Sequence, residues 1–266
     1  MKDRFGRTIE YLRVSVTDRC NLRCQYCMPE EGVSFLPHER ILSYEEITDV
    51  VKTAVQLGVW KVRITGGEPL VRRDITKLVE MLAAISGIRD LAMTSNGLLL
   101  DRFASELTQA GLQRVNISLD TVDPKRFREI TRGGDVKQVF AGIKAAHLAG
   151  LEPIKLNCVI RESSNEKDAQ AVAAWGKKRG YEVRFIRRMD LNEGSFSIVE
   201  GGSGGDCARC NRLRLTADGF IRPCLFSDRK VYVRELGPQR ALTEAVRCKP
   251  VSGGPNHSKW MHSIGG

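Results

Sequence analysis

The chain has 266 residues, of which 42% are apolar and 28% charged, a balance typical of a globular protein with a sizeable core. It has no run of about 18 apolar residues and no apolar signal segment near residue 1, so we expect a cytoplasmic protein without a membrane span. The net charge of +10 indicates an anionic partner; because basic residues are spread along the chain, a polyanionic small molecule is favoured over a nucleic acid.

Alternating strand and helix patterns predict repeated βα units. The predicted strands are 12–16, 61–65, 91–94, 114–118, 154–160 and 182–186, and the predicted helices are 43–57, 74–84, 102–110, 136–149 and 167–179. Such repeats predict a parallel sheet with right-handed crossovers. Six units fit an α/β fold of the partial (β/α)6 barrel type, open on one side.

The pattern breaks after Asn192, where a Gly- and Ser-rich stretch includes Gly201–Gly205. We therefore predict a barrel over residues 1–192, a flexible linker over 193–206 and a C-terminal region over 207–266. Active sites of such barrels lie at the carboxyl ends of the strands. The segments that follow the predicted strands should meet at one mouth: a cysteine loop, Gly66–Pro69, Thr94–Gly97, Ser118–Asp120 and Arg187–Asp190.

The cysteine loop carries Cys20, Cys24 and Cys27 with the spacing C-x3-C-x2-C. In a reducing compartment such a set indicates metal ligation and not disulfides. A cubane iron–sulfur cluster normally takes four cysteines, so three leave one iron open for a ligand. The alternatives are a zinc knuckle that lacks its fourth ligand and three reduced core cysteines.

A second set, Cys207, Cys210 and Cys224, has the spacing C-x2-C-x13-C. Alone, this spacing is typical of a zinc ribbon, with Cys248 as the candidate fourth ligand. Arg212 and Arg214 alternate on an extended segment beside it, so both point to one face. A structural zinc site has no need of these arginines, whereas an open-iron site that faces an anionic substrate does.

With Gly66-Gly67-Glu68-Pro69 downstream, the first triplet resembles the radical S-adenosylmethionine (SAM) superfamily. Together with the second cysteine set and the final Ile264-Gly265-Gly266, the chain resembles the GTP 3′,8-cyclase family of molybdenum-cofactor biosynthesis. The matching stretches are 12–28, 63–70, 94–100, 116–120, 184–190 and 207–226. The resemblance implies a partial radical SAM barrel with a small C-terminal cluster-binding extension. It also implies a lyase that converts GTP to (8S)-3′,8-cyclo-7,8-dihydroguanosine 5′-triphosphate, the first step of molybdopterin synthesis.

The resemblance further implies SAM and two [4Fe-4S] clusters as cofactors. A cluster on the first triplet would split SAM to a 5′-deoxyadenosyl radical, which takes the ribose 3′ hydrogen of GTP. A cluster on the second set would hold the purine at its open iron. The implied SAM contacts are Tyr26, Gly66, Gly67, Glu68, Pro69, Ser118 and Met189. The implied GTP contacts are Arg13, Lys61, Arg63, Thr94, Lys155, Arg184, Arg212 and Arg214.

These assignments have chemical reasons. Arg and Lys neutralise a triphosphate, Arg with a planar fork, and a charge on a barrel strand is otherwise unexpected. Two glycines let the backbone approach the methionine moiety closely. In the family, the diglycine that corresponds to Gly265 and Gly266 reaches into the barrel and assists the chemistry; the alternative is a frayed terminus. Cys158 and Cys248 match no ligand and are expected to be ordinary reduced cysteines.

The chain departs from the family between Asp190 and Cys207, where relatives carry several tens of residues that extend the barrel and this chain has about fifteen. Without these residues we expect the substrate cavity to be less completely closed. Expected partners are GTP, an electron donor such as a flavodoxin or ferredoxin, and the next enzyme of the molybdopterin pathway. Two other functions remain open: a related radical SAM enzyme with another nucleotide or a peptide as substrate, and a nucleic-acid-modifying protein with a zinc ribbon.

Overall fold

The computed structural model describes residues 1–190, 194 and 197–257 of the chain. Its strands are β1 (Tyr11–Ser15), β2 (Lys61–Thr65), β3 (Asp90–Ser95), β4 (Arg114–Ser118), β5 (Lys155–Ile160), β6 (Glu182–Arg187), β7 (Arg212–Leu215), β8 (Phe220–Arg222) and β9 (Val231–Tyr232). Its helices are α1 (Tyr44–Gln56), α2 (Ile75–Ala83), α3 (Leu100–Gln109), α4 (Pro124–Thr131), α5 (Val136–Leu148), α6 (Lys167–Lys177), α7 (Val233–Leu236) and α8 (Pro238–Arg247).

The strands of the described residues form one sheet in the order β6-β5-β4-β3-β2-β1-β7-β8-β9. Strands β1 to β6 pair in parallel with their neighbours in the chain. On its other side β1 pairs with β7, also in parallel, so β6 does not close onto β1. The predicted α/β fold with an open six-unit barrel is therefore confirmed. The β8 and β9 strands continue the sheet in antiparallel pairs.

Helix α4 was not predicted from the sequence. Asp123 caps its first turn by accepting hydrogen bonds from the amides of Lys125 and Arg126, and Pro124 occupies the first helical position. Only two of its residues, Phe127 and Thr131, are buried, so its apolar period is too short to recognise. Helix α8 and strands β8 and β9 were also missed.

The residues of each barrel strand alternate between two environments. Leu12 and Val14 of β1 belong to the hydrophobic core beneath the helices, as do the corresponding residues of the neighbouring strands. Arg13, between them, faces a cavity on the opposite side of the sheet. The register places Arg13 level with Arg63 of β2 and with Arg214 of β7, so three arginines stand side by side across three strands.

The described part of the predicted linker packs against the barrel edge. Phe185 of β6 and Glu200 exchange two backbone hydrogen bonds, of 3.0 and 3.2 Å. A Cβ on Gly205 would lie 2.1 Å from the carbonyl oxygen of Ser197, so close backbone approach requires glycine at this position. The division into two domains stays a prediction, but residues after 207 share the barrel sheet through β7. None of the described helices is long and apolar enough to span a membrane.

Candidate active site

A cavity of about 420 Å³ lies on the face of the sheet opposite the helix-packed core. Its volume is in the usual range of small-molecule sites. It is lined by nearly all residues that sequence reasoning assigned to SAM, GTP or the first cluster: Arg13, Cys20, Cys24, Tyr26, Cys27, Lys61, Arg63, Gly66, Gly67, Glu68, Thr94, Ser118, Lys155, Arg184, Met189, Arg212 and Arg214. Pro69 is buried in a short 3-10 turn and is not part of the lining. Gly265 and Gly266 lie outside the described residues.

Basic side chains dominate the cavity wall. Ten Arg or Lys residues line it against one carboxylate, that of Glu68. Some of these cations are already paired: Asp90 accepts two 2.7 Å hydrogen bonds from Arg114 and lies 2.8 Å from Lys61. Burial raises the pKa of Asp90, but these cations lower it more, so the pKa lies below its ordinary value. Glu182 likewise forms ion pairs with Lys155, at 2.5 Å, and with Arg184, at 3.5 Å.

The arginines on the three central strands lie side by side. Burial, opposed by Tyr11 and reinforced by the neighbouring arginines, lowers the pKa of Arg13 to about 10. The Nε atoms of Arg63 and Arg212 are buried and donate no hydrogen bond to the described residues. Buried guanidinium groups in this state favour an anionic ligand that would accept their hydrogen bonds.

The cysteine loop is a compact turn at the carboxyl end of β1. The amides of Cys27 and Met28 both donate to the carbonyl oxygen of Cys24, at 2.9 and 3.1 Å, and the amide of Leu22 donates to Sγ of Cys20 at 3.4 Å. Burial raises the pKa of the Cys20 thiol to about 11 and that of the Cys27 thiol to about 12. Three half-buried thiols that line one cavity fit an iron–sulfur cluster, because a bound cation supplies the charge that stabilises their thiolates.

The end of α4 holds this loop in place, which sequence reasoning missed. The amides of Arg23 and Gln25 donate to the last carbonyls of the helix, at Thr131 and Ile130. In return, Nη1 of Arg132 donates to the carbonyl oxygens of Arg23 and Met28, at 3.0 and 2.9 Å. Arg132 has a φ of 53°, a left-handed conformation that is uncommon for a residue with a side chain. Helix α4 thus positions both ends of the cysteine loop.

The Gly66–Pro69 loop packs directly on the chain that enters the cysteine loop. The amide of Gly67 donates to the carbonyl oxygen of Thr17, and that of Glu68 to Arg19, both at 2.8 Å. A Cβ on Gly67 would lie 2.3 Å from the carbonyl oxygen of Arg19, so only glycine fits. These two amides are committed within the protein. The glycines therefore serve the packing of two loops as well as any approach to a ligand.

The Glu68 side chain ties this loop to the end of β3. Its carboxylate accepts hydrogen bonds from Ser95 Oγ at 2.9 Å and from the amides of Asn96 and Leu70, at 2.7 and 3.1 Å. Burial raises its pKa to about 7 in spite of these three donors. Asn96 in turn donates to Asn21 at 2.8 Å, so the cysteine loop and two strand ends are linked.

Tyr26 has a structural partner that the sequence did not indicate. Its hydroxyl donates a 2.6 Å hydrogen bond to Asp120, whose other carboxylate oxygen accepts from the amide of Val159 at 2.8 Å. Burial raises the pKa of Asp120 to about 6, although both hydrogen bonds lower it. The Tyr26 ring lines the cavity while its hydroxyl anchors the cysteine loop to β4 and β5.

The second cysteine set lies at the other end of the barrel. Cys207 and Cys210 precede β7, and Cys224 follows β8, which runs antiparallel to β7; all three are therefore beside the amino end of β7. These cysteines are half-buried, and the cavity lining reaches Asn211 and Arg212 without including them. Across residues 1–190, 194 and 197–257, no three His, Cys, Asp or Glu side chains are grouped as ligands of one metal ion.

Two buried cations hold the second set. Nζ of Lys249 donates to the carbonyl oxygens of Arg212 and Pro223, at 2.8 and 2.6 Å. Arg7 donates to the carbonyl oxygen of Cys207 at 2.8 Å and forms a buried ion pair with Asp3. Burial raises the pKa of Cys210, but Lys249 and Arg212 lower it further than burial raises it. A negative sulfur ligand fits this environment.

Three predicted residues without a metal role also have defined surroundings. Met189 lines the cavity and packs on a small cluster formed by Leu225 and Phe226. Cys158 is buried in the core, where its thiol donates to the carbonyl oxygen of Asp120 at 3.6 Å. The Cys248 thiol donates to Glu244 at 3.1 Å. Both of these cysteines are free thiols in the structure, as are the other six, so their assignment as ordinary reduced cysteines stays a prediction.

The chain is similar to known proteins along nearly its whole length. The family model described as the radical SAM superfamily matches residues 14–176. The GTP 3′,8-cyclase of Thermodesulfovibrio yellowstonii is 44% identical over 293 aligned residues, which cover 93% of this chain and 91% of that relative. The GTP 3′,8-cyclase of Petrotoga mobilis is 40% identical over 304 aligned residues, which cover 95% and 94%.

Solved structures agree on the fold. The crystal structure of Streptococcus suis SuiB bound to the precursor peptide SuiA superposes with a TM-score of 0.68 at 14% sequence identity. The match covers 92% of this chain and 66% of the SuiB chain. The chain belongs to the radical SAM superfamily and, within it, to the family of the GTP 3′,8-cyclases. Both curated alignments are longer than the 266-residue chain, so these relatives carry residues that have no counterpart here.

Proposed function

We propose that the protein is a GTP 3′,8-cyclase that forms (8S)-3′,8-cyclo-7,8-dihydroguanosine 5′-triphosphate with SAM as co-substrate. The observation that carries the proposal is the cavity between the two cysteine sets, whose wall has ten basic residues and one carboxylate. Such a charge balance favours a polyanion of nucleotide size. A peptide offers this basic wall less negative charge than a triphosphate does.

In this proposal Cys20, Cys24 and Cys27 hold a [4Fe-4S] cluster that, when bound, supplies the electron for cleavage of SAM. The residues around it position the co-substrate. Gly66 and Gly67 offer backbone at the cavity wall, Tyr26 and Met189 offer apolar surface, and Ser118 offers a hydroxyl. Glu68 keeps the glycine loop against β3 through its three hydrogen bonds, so its role is to hold that wall rigid.

The triphosphate would lie toward the amino ends of the strands. Lys61, Lys155 and Arg212 are the first residues of β2, β5 and β7, so they stand at the end of the barrel away from the cysteine loop. Asp90 and Glu182 keep Lys61 and Lys155 extended before a ligand binds. Arg13, Arg63 and Arg214 lie level with one another and closer to the carboxyl ends of their strands. They would contact the phosphates nearest the ribose. Thr94 and Arg184 complete this wall.

A second [4Fe-4S] cluster on Cys207, Cys210 and Cys224 would hold the purine. The position of these residues beside the amino end of β7 leaves the substrate between the two cysteine sets. This arrangement suits a reaction in which the ribose faces the first set and the base faces the second. The diglycine at Gly265 and Gly266 is proposed to assist catalysis after SAM binds. A flavodoxin or ferredoxin would donate the electron, and the next enzyme of molybdopterin synthesis would take the product.

Anaerobic turnover with GTP, SAM and dithionite tests this function. The purified protein with reconstituted clusters should form the cyclised nucleotide and 5′-deoxyadenosine in equal amounts, and ATP should not replace GTP. Cys24→Ala should form neither product while it retains about half of the iron, and Cys248→Ala, at a cysteine outside both sets, should behave as the unchanged protein. Zinc in place of iron at the second set, in protein made with ample iron, would contradict the two-cluster assignment.

A further inference from the structure

Lys249 is a buried ammonium group beside the second cysteine set, and the proposed reaction above does not use its charge. The residue is 1% exposed and follows the last turn of α8. Its Nζ donates to the carbonyl oxygen of Arg212, two residues after Cys210, and to that of Pro223, next to Cys224. It thus bridges the two chain segments that carry the cysteines.

No carboxylate of the described residues forms an ion pair with Lys249, which is unusual for a buried lysine. Three other buried or half-buried basic residues nearby or in the cavity have carboxylates: Arg7 has Asp3, Lys61 has Asp90 and Lys155 has Glu182. Carbonyl oxygens satisfy two of the ammonium hydrogens but bring no negative charge. Burial of a charge without a counter-charge destabilises the folded state by roughly several kcal/mol.

The groups that can supply this counter-charge are sulfurs. Cys210 and Cys224 lie on the two chain segments whose carbonyl oxygens Lys249 binds, and their thiols can ionise. As neutral thiols they would leave the ammonium unbalanced, whereas as thiolates bound to a cluster they would balance it. A [4Fe-4S] cluster in its oxidised state with three thiolates is itself an anion, and reduction adds a further negative charge.

We propose that Lys249 is a positioning residue for the second cluster, whose fixed positive charge stabilises the ligand thiolates and raises the reduction potential of that cluster. This inference rests on the proposed second cluster. The potential of an iron–sulfur cluster depends on the charges and hydrogen bonds around it, so a buried ammonium bound to the backbone next to the ligands favours the reduced state. Lys249 also sets the spacing of the ligands, because it binds the backbone beside two of them.

The test isolates the second cluster in a chain with Cys20→Ala, Cys24→Ala and Cys27→Ala. This parent should hold about four irons after anaerobic reconstitution. In it, Lys249→Gln keeps hydrogen-bond donors and removes the charge, Lys249→Arg keeps the charge, and Lys144→Gln removes an exposed charge of α5 as a matched control. Iron content, EPR-monitored redox titration and thermal unfolding are measured for all four proteins. None of these measurements needs turnover of GTP.

We expect Lys249→Gln to shift the midpoint to a more negative potential. At the midpoint of the parent, its ratio of reduced to oxidised cluster should be about tenfold lower, which corresponds to about 59 mV for one electron. Lys249→Arg and the Lys144 control should stay near the parent. Loss of iron from Lys249→Gln with full loading of Lys249→Arg would also support the proposal.

Other results would overturn it. An unchanged potential in Lys249→Gln, or equal behaviour of the Gln and Arg variants, would reduce Lys249 to a packing role. A parent without iron would remove the second cluster and the proposal with it, while SAM cleavage by the unchanged protein would still support the first. Absence of GTP turnover in a protein whose second cluster shows the predicted shift would contradict the proposed function alone.

Discussion

Arg132 donates a 2.9 Å hydrogen bond to the carbonyl oxygen of Met28, the residue that follows the last cysteine of the first triplet. The same nitrogen reaches the carbonyl oxygen of Arg23, so one side chain spans most of the cysteine loop. A loop that must present three thiols to one cluster gains from a fixed backbone, because each ligand then loses little freedom on binding. The structure therefore assigns much of the loop's rigidity to a helix end more than 100 residues away.

Arg132→Ala should weaken the binding of iron at Cys20, Cys24 and Cys27 and lower the stability of the fold. A hydrogen bond from a charged group contributes about 1.5–3 kcal/mol, and this variant loses two of them. We therefore expect several-fold faster loss of iron to a chelator and a lower Tm. Arg128→Ala, on the exposed face of the same helix, is the matched control. Arg132→Gly also removes the clamp but suits the left-handed backbone, so its Tm should exceed that of the Ala variant. Chelation rates equal to those of the control would disprove the clamp.

Gly67→Ala should disrupt the contact between the glycine loop and the cysteine loop. Its Cβ would lie 2.3 Å from the carbonyl oxygen of Arg19, so the two loops must move apart. Overpacking of this kind costs about 1–3 kcal/mol, and SAM affinity should fall with stability. Gly254→Ala, where a Cβ meets nothing within 4 Å, is the control. Thermal unfolding and equilibrium dialysis with SAM measure both effects, and unchanged values would show that the loops tolerate the displacement.

Asp90→Asn should change the pH dependence of stability. Arg114 and Lys61 hold the pKa of Asp90 below its ordinary value, so the ionised carboxylate stabilises the folded state above about pH 4. This contribution is lost as the pH falls through the lowered pKa, because both states then bind the proton. Near neutral pH the free energy of unfolding of the unchanged protein should be about 2 kcal/mol larger than that of Asp90→Asn. This difference should shrink toward pH 3.

Urea unfolding of both proteins at several pH values measures that difference. Asp49→Asn, at an exposed position in the middle of α1, should give a difference near zero throughout. A difference for Asp90→Asn that does not vary with pH would mean that the side chain acts through its shape or hydrogen bonds alone, and not through its charge.

Arg212→Ala and Lys155→Ala should each weaken GTP binding about tenfold or more, because a charge-assisted hydrogen bond to phosphate contributes about 1.5–3 kcal/mol. Iron content should not change. Lys144→Ala, far from the cavity on α5, is the control. The loss should be smaller in high salt, where screening weakens every phosphate contact. GTP affinities that match the control would place the triphosphate elsewhere.

The barrel and the first site could be predicted because their signals are local. Strand β5 shows a clear alternation of polar and apolar residues, and the cysteine spacing and Gly66–Pro69 are contiguous motifs. Lys249 and Arg132 could not be predicted, because each acts through backbone carbonyls of residues that are distant in the chain and leave no pattern. Asp90 and Glu182 were missed for a related reason: each begins a strand, where an acidic residue is usually a solvated end.

The glycines of residues 201–205 show the limit of composition as a guide. Their content predicted a flexible linker, whereas Gly205 in the structure allows two backbone segments to approach closely, and Gly202 and Gly204 line the cavity. Composition reports the freedom of glycine in an unfolded chain and not whether a fold uses it for close packing. The short segment therefore contributes to the cavity wall that was in doubt from the sequence.

The most direct measurement of the central claim is the fate of the ribose 3′ hydrogen. The reconstituted protein is given SAM, dithionite and GTP deuterated at the 3′ carbon, and the 5′-deoxyadenosine is analysed by mass spectrometry. The account predicts that it gains one deuterium and forms in the same amount as the cyclised nucleotide. 5′-Deoxyadenosine without deuterium, or formed equally without GTP, would contradict a cyclase that acts at this carbon.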